Sequence, residues 1–375
     1  TMNLLGNMSV DEFLSEYWEK KPLLIKGAVK NIEDYAGAQD IMELGLDPEF
    51  ESRIVYNDKE LFKVKHGPLT ESDFNDKKWT FAAHNLNLLD PNFYSLQKAV
   101  EFIPSWLFDD IMATYSKKDS TIGAHTDKYN VFILQGSGKR LWRLEESPDP
   151  TYKENIDLKI LKNFNPNIEW VLEPGDMIYI PPSVAHEGTT TSEDSISYSI
   201  GFKSLEDQIL LNEYLTDMLE SYETEEFYKN PKLQKSSDTF NIDSKLIEDI
   251  YSRLQTHLMN KDTLKKWFIS YLSKPKEEIE TGEVYIEEEI INLLSSNQVY
   301  KDQYTRFNSF KDDDQIILSI NKNLYAIEPA DYEMVTSWFK DSPTEPISIE
   351  HKLLNQDTWP LVIDLFKNGT FYFSE

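Results

Sequence analysis

Residues 195–202 read Ser-Ile-Ser-Tyr-Ser-Ile-Gly-Phe, a strict alternation that admits a β-strand and little else. Successive side chains of an extended chain point to opposite faces. Ser195, Ser197, Ser199 and Gly201 therefore share one side, and Ile196, Tyr198, Ile200 and Phe202 the other. The apolar side must pack in a core. The small polar side either lines a solvated pocket or faces bulk water. Segments 111–116, 129–134, 140–145 and 177–180 read as further strands. Gly136-Ser-Gly138 falls between two of them and Pro174-Gly-Asp176 precedes another, and both are turn chemistry. Strands at this spacing with no helix between them predict a barrel or sandwich over about 80–203.

Glycine marks where that text stops. Of 13 glycines, 11 lie at or before Gly201. Glycine serves turns and bulges more than helices, so a β-rich first domain and a more helical second half are expected. Leu210, Leu211, Tyr214, Leu215, Met218 and Leu219 recur at helical spacing, as do Ile247, Ile250, Leu254 and Leu258, with Asn230-Pro231 as a break. These helices over 205–272 either form a dimer surface or pack on the chain's own barrel. Residues 276–290 carry 7 glutamates and 1 lysine, a solvated helix or linker. Residues 315–327 read as a hairpin turning at Asn321-Lys322-Asn323, and Phe371-Tyr-Phe373 as a last strand. Helices with a hairpin predict a winged-helix-like unit. Between 276 and 375 it holds 8 basic against 20 acidic residues, which disfavours phosphate binding.

At the other end, Ser9 and Glu12 have capping-box spacing. Phe13, Leu14, Tyr17 and Trp18 form one face of the helix that follows. Pro22 is expected to end that helix, and Leu23-Leu-Ile25 reads as a short strand.

Composition excludes whole classes of chemistry. There are 0 cysteines, hence no disulfide, thiolate nucleophile or Cys-ligated zinc or iron–sulfur site. No apolar run approaches the roughly 20 residues of a membrane span, and residues 1–30 carry no signal-peptide pattern, so a soluble, cytoplasmic protein is expected. The net charge of −28 repels nucleic acid and anionic membrane. It either attracts a basic partner or serves solubility alone.

The window that carries chemistry is Gly123-Ala-His125-Thr-Asp127. Two ligands two apart on an extended chain point the same way, and one distant histidine completes a two-histidine, one-carboxylate set. His186 is that histidine. It follows Glu173-Pro-Gly-Asp176, the strand Met177-Ile-Tyr-Ile180 and Pro181-Pro182. Such a set holds one face of an octahedral iron and leaves three positions open, two for a bidentate 2-oxo acid and one for dioxygen. An anionic cosubstrate needs a cation. Arg140 lies in phase with Trp142, with Leu141 and Arg143 on the opposite face. An arginine facing a barrel interior requires a carboxylate partner. Of the remaining histidines, His66 and His84 are expected to be structural, His257 exposed on its helix, and His351 part of the acidic tail.

These residues resemble the JmjC-type ribosomal oxygenases, along nearly the whole chain. The motifs are Phe13-Leu-x-x-Tyr17-Trp18-x-Lys-Lys-Pro22-Leu-Leu-Ile25, His125-Thr-Asp127-x-Tyr129-x-Val-Phe132, Gln135-Gly136-x-Gly138-x-Arg140-x-Trp142, Glu173-Pro-Gly-Asp176, Tyr179-Ile-Pro-Pro182, His186-Glu-Gly188 and Tyr198-Ser199-x-Gly201-Phe202. The resemblance is strongest to the branch that hydroxylates an arginine of large-subunit ribosomal protein number sixteen. It implies a mainly β plus α architecture. A double-stranded β-helix (cupin/JmjC) barrel with a helical lead-in spans 1–204, a helical dimerisation region 205–274, and an acidic winged-helix-like domain 275–375. It implies His125, Asp127 and His186 as iron(II) ligands, and Arg140, Ser116 and Ser197 as holders of 2-oxoglutarate, with asparagine standing for Ser197 in some relatives. Lys117-Lys-Asp-Ser120 replaces a glycine-rich stretch near where the substrate side chain enters.

The expected function is thus a 2-oxoglutarate-dependent dioxygenase using iron(II) and molecular oxygen. It would act as a homodimer on a basic ribosomal protein, with no nucleic acid or membrane as partner. Hydroxylation of a histidine, N-demethylation, a metal-dependent cupin hydrolase or isomerase, and a non-catalytic cupin binding module remain as alternatives.

Overall fold

In this computed structural model the described residues are 4–374, apart from 33–34, 59–60, 155, 222–228, 230–239, 241, 259, 282–284 and 312–314. The expected break at Asn230-Pro231 and the side chain of His257 lie outside them. The chain divides into one unit of Thr1–Ser204 with Ser342–Glu345, and a second of Leu205–Asp341 with Pro346–Glu375.

The first unit is organised by a ten-stranded antiparallel sheet. Its strands are β1 (Leu23–Ile25), β2 (Ser52–Asp58), β3 (Leu61–His66), β4 (Trp79–Ala83), β5 (Phe108–Lys117), β6 (His125–Thr126), β7 (Asn130–Glu145), β8 (Ile168–Leu172), β9 (Met177–Ile180) and β10 (Ala185–Phe202). The frame is a long ribbon of β7 against β10, paired from Phe202↔Asn130 at one end to Ala185↔Glu145 at the other. One half of the ribbon is flanked by β9 and β5, the other by β8 and β6.

The expected strands 129–134 and 140–145 are one strand, β7, and Gly136-Ser-Gly138 is not a turn. The two glycines let a paired strand bend. A Cβ on Gly136 would lie 2.6 Å from the Tyr198 ring, and one on Gly138, at φ +63, would lie 2.1 Å from the Asp194 carbonyl. The register shifts there, between Thr190 and Ser195 and again between Ile196 and Ser197. A bulge bends the ribbon without ending it.

Strand faces follow the alternation. Phe132, Leu134, Met177, Tyr179, Ile196, Tyr198, Ile200 and Phe202 join one core with Phe13, Trp79, Phe81 and Phe93. Val131, Ile133, Ile178 and Ile180 take the opposite face with Trp142, Leu144, Leu172 and Val184. The first helix, α1 (Val10–Glu16), is capped by Ser9, whose hydroxyl accepts from the Glu12 amide at 3.1 Å. It ends a turn before Pro22, because Glu19 turns left-handed at φ 56 and donates its amide to the Tyr179 hydroxyl at 2.8 Å. Phe13, Tyr17 and Trp18 pack on the core, whereas Leu14 is exposed. Two further helices, α2 (Ala38–Leu46) and α3 (Pro91–Ala99), bury Ile41, Phe93 and Leu96 in the same core.

The second unit holds α4 (Asp207–Ser221), α5 (Ser244–Leu258), α6 (Lys261–Leu272) and α7 (Glu287–Leu293), then α8 (Tyr332–Lys340) and α9 (Thr358–Lys367). Strands β11 (Val299–Lys301) and β15 (Phe371–Phe373) pair with each other. β12 (Phe307–Lys311), β13 (Ile316–Ile320) and β14 (Asn323–Ile327) form a three-stranded sheet. The expected hairpin is there, with both turn residues, Asn321 (φ 51) and Lys322 (φ 71), left-handed as a tight two-residue turn demands. Among the described residues no helix is long and apolar enough to cross a membrane.

Candidate metal and cosubstrate site

The β6–β10 pairing sets His125 directly opposite His186. Their ring centroids are 4.4 Å apart. Asp127 leaves the end of β6 with its Oδ2 3.4 Å from His186 Nε2. One ligand atom from each of the three residues falls within 4.8 Å of the others, and no other such cluster of three occurs among the described residues. Both imidazoles are oriented alike. His125 donates Nδ1–H to the Gly123 carbonyl at 2.9 Å, and His186 donates Nδ1–H to the Val184 carbonyl at 3.1 Å. That tautomer leaves each Nε2 with a free lone pair.

The charges fit a cation. Burial, then the neighbouring His186, push His125 down to about 4, against the pull of Asp127 and Gly123. Burial would raise the Asp127 carboxyl, but His186, His125 and the Tyr129 hydroxyl outweigh it and hold the group at about 2. The site thus brings two imidazoles together with a carboxylate that is ionised at ordinary pH. These are borderline donors of the kind that hold a divalent transition metal.

Arg140 enters from β7 and is buried, as are Trp142 and Leu144 in phase with it. Its guanidinium donates to the Ser197 hydroxyl at 3.0 Å and to the Ser116 hydroxyl, and Ser116 donates its own hydroxyl hydrogen bond to Thr80 Oγ1 at 3.0 Å. Its Nε is buried without a partner. No acidic side chain pairs with it among the described residues. Burial pulls it from 12.5 down to about 10, a penalty of roughly 3 kcal/mol. A buried, uncompensated guanidinium held by two hydroxyls fits the carboxylate of an anionic cosubstrate. The question left open by the alternation of β10 is answered here: Ser195 and Ser197 are fully buried and do not face bulk water.

Several residues contribute in ways that sequence reading did not assign. Gly188 is one, because a Cβ there would lie 2.9 Å from both Arg140 Cδ and the Trp142 ring. Tyr129, Arg53 and Asp110 surround the Asp127 side of the site. His84, expected to be structural, is bonded to Asp110 at 2.9 Å. His66 is exposed on β3, and the His351 ring lies 5.1 Å from Trp359. Lys117 is drawn to Tyr115 and Asp194, and Lys118 to Glu193.

The family model of the JmjC domain matches residues 95–210, which span the triad, Arg140 and both serines. Those residues form a JmjC domain. It is 26% identical to the ribosomal protein uL16 3-hydroxylase of Escherichia coli over 293 residues, 77% of this chain and 78% of that protein. A probable ribosomal oxygenase of Haemophilus influenzae is 35% identical over 198 residues, 51% of this chain and 48% of that protein. The solved structure of YcfD, a ribosomal oxygenase from Escherichia coli, in complex with cobalt and 2-oxoglutarate superimposes with a TM-score of 0.81 at 22% identity. That match covers 98% of this chain and 99% of that one. The JmjC/cupin fold thus extends to this chain.

Proposed function

We propose that this JmjC protein is an iron(II)- and 2-oxoglutarate-dependent dioxygenase that hydroxylates an arginine side chain of large-subunit ribosomal protein uL16. The observation that carries this reading is the conjunction of a His125–Asp127–His186 ligand set with a lone buried guanidinium on the adjoining strand. His125, Asp127 and His186 would hold iron(II) through Nε2, a carboxylate oxygen and Nε2. Arg140 would grip the distal carboxylate of 2-oxoglutarate, with Ser116 and Ser197 steadying the guanidinium from behind. When bound, iron and 2-oxoglutarate supply the oxidising power, coupling decarboxylation of the cosubstrate by dioxygen to oxygen insertion into a C–H bond.

The chain's own residues do the rest. The Gly123 and Val184 carbonyls keep the two rings in one tautomer. Trp142, packed in one core with Val131, Ile133 and Ile178, lies with its ring 6.0 Å from that of His186 and would give the site an apolar side. The net charge of −28 favours encounter with a basic ribosomal protein and opposes direct binding to nucleic acid. A cytoplasmic location follows from that substrate.

The test is mass spectrometry of uL16 incubated with enzyme, iron(II), 2-oxoglutarate and air. One added oxygen atom on an arginine is the expected result. Addition on another residue, or none with 2-oxoglutarate consumed, would overturn the substrate; no consumption under any condition would favour a binding module.

We further propose that residues 205–274 form a homodimer surface and 275–375 a winged-helix-like domain. Ile247, Tyr251 and Leu254 recur on one face of α5, each more than half exposed, which a second copy would cover. Light scattering giving the monomer mass would exclude the dimer.

A further inference from the structure

His125 is held by more than its own carbonyl partner. The Gly123 carbonyl that orients the ring belongs to a residue at φ +83, a conformation that only glycine adopts without strain. The backbone before and after it is pinned. The Gly123 amide donates to Thr121 Oγ1 at 3.0 Å, and the next carbonyl, that of Ala124, accepts from the Leu161 amide at 2.8 Å. Thr121 Oγ1 in turn donates to Glu187 Oε1 at 3.4 Å, and the other oxygen of Glu187 takes a charged hydrogen bond from Arg143 Nη2 at 2.5 Å. Glu187 and Arg143 face each other across β10 and β7. The path Arg143–Glu187–Thr121–Gly123–His125 is therefore continuous. It ties the ring of one ligand to the rigid ribbon that carries the other.

We propose that Thr121 and Glu187 are positioning residues for His125. Neither touches the metal position. Without that anchor the Gly123 plane can rotate, the Nδ1–H···O bond is lost, and the imidazole is free to turn its Nε2 away. Outer hydrogen-bond partners of this kind change metal affinity by about 10- to 100-fold. The inference rests on the triad being a metal site.

The experiment is titration of the full-length protein with cobalt(II) alone, read by its absorption bands, so that no turnover enters the measurement. Thr121→Val, of equal shape but unable to make either hydrogen bond, should weaken cobalt binding about tenfold or more and alter the bands. Thr121→Ser should restore both. Glu187→Gln, which keeps the shape and loses the charge, should weaken it less and tests the same chain should Thr121→Val fail to fold. Parent affinity and parent bands in both Thr121→Val and Glu187→Gln would overturn the proposal. Parent affinity in Asp127→Ala would instead overturn the metal site itself.

Discussion

The triad and the Arg140 pocket share β10, yet they treat buried charge in opposite ways. Asp127 has polar partners inside the protein, in His186, His125 and the Tyr129 hydroxyl, and its carboxyl stays low despite burial. Arg140 has no acidic partner among the described residues. Two serine hydroxyls satisfy its geometry but none of its charge, and its Nε stays unpartnered. A carboxylate with such partners stays ionised before any ligand arrives. A buried guanidinium without an acidic partner costs stability until a negative charge joins it. One site is preassembled for a cation, and the other is kept under electrostatic strain for an anion.

That contrast can be broken at several points. The largest effect belongs to Asp127→Ala, which should abolish cobalt binding and turnover together; calorimetry showing parent metal affinity would end the reading. Next, Arg140→Met should weaken 2-oxoglutarate binding by about 100-fold, since two charged hydrogen bonds of about 1.5 kcal/mol or more are lost. The same variant should melt no lower than the parent when cosubstrate is absent, because it removes a buried uncompensated charge. A melting point several degrees lower would mean the guanidinium is structural. Gly188→Ala should push Arg140 and Trp142 aside and weaken 2-oxoglutarate binding about tenfold, for an overpacking cost of about 1–3 kcal/mol. Its cobalt affinity should stay near the parent's, and equal losses of both would erase the distinction between the two sites.

The smallest effect is on titration. The His125 ring in the metal-free protein should titrate near pH 4 by nuclear magnetic resonance, not near 6.5. The folded value lies below the unfolded one, so the unfolded chain takes the proton first. The contribution of His125 to stability is complete above about pH 6.5 and is lost as the pH falls toward 4. A midpoint near 6.5 would show that the ring is neither desolvated nor crowded by His186.

Much of this site is legible in the order of residues. His125 and Asp127 stand two apart, His186 follows a strand and a proline pair, and Arg140 is in phase with Trp142; these are local patterns, and the structure gathers all four residues on adjoining strands and the end of β6. The alternation 195–202 also separates core from pocket, because a pleated strand has only two faces. The hairpin at Asn321-Lys322 is likewise local chemistry.

Other features depend on partners far along the chain. Gly136 and Gly138 look like a turn until Tyr198 and Asp194 lie against them, and then they become the bend of one long strand. Gly188 has no meaning until Arg140 and Trp142 press on it. β2, β3 and β4 carry no clear alternation, since β4 is buried on both faces and β3 is an edge with mixed exposure. The sequence by itself determined which residues could ligate and which strand faces are apolar, since both follow from side-chain type and backbone period. Only the tertiary structure decided that Ser195 and Ser197 are buried, that Arg140 has no acidic partner among the described residues, and that His125 is held through Gly123, because those are properties of neighbours brought together from across the sheet.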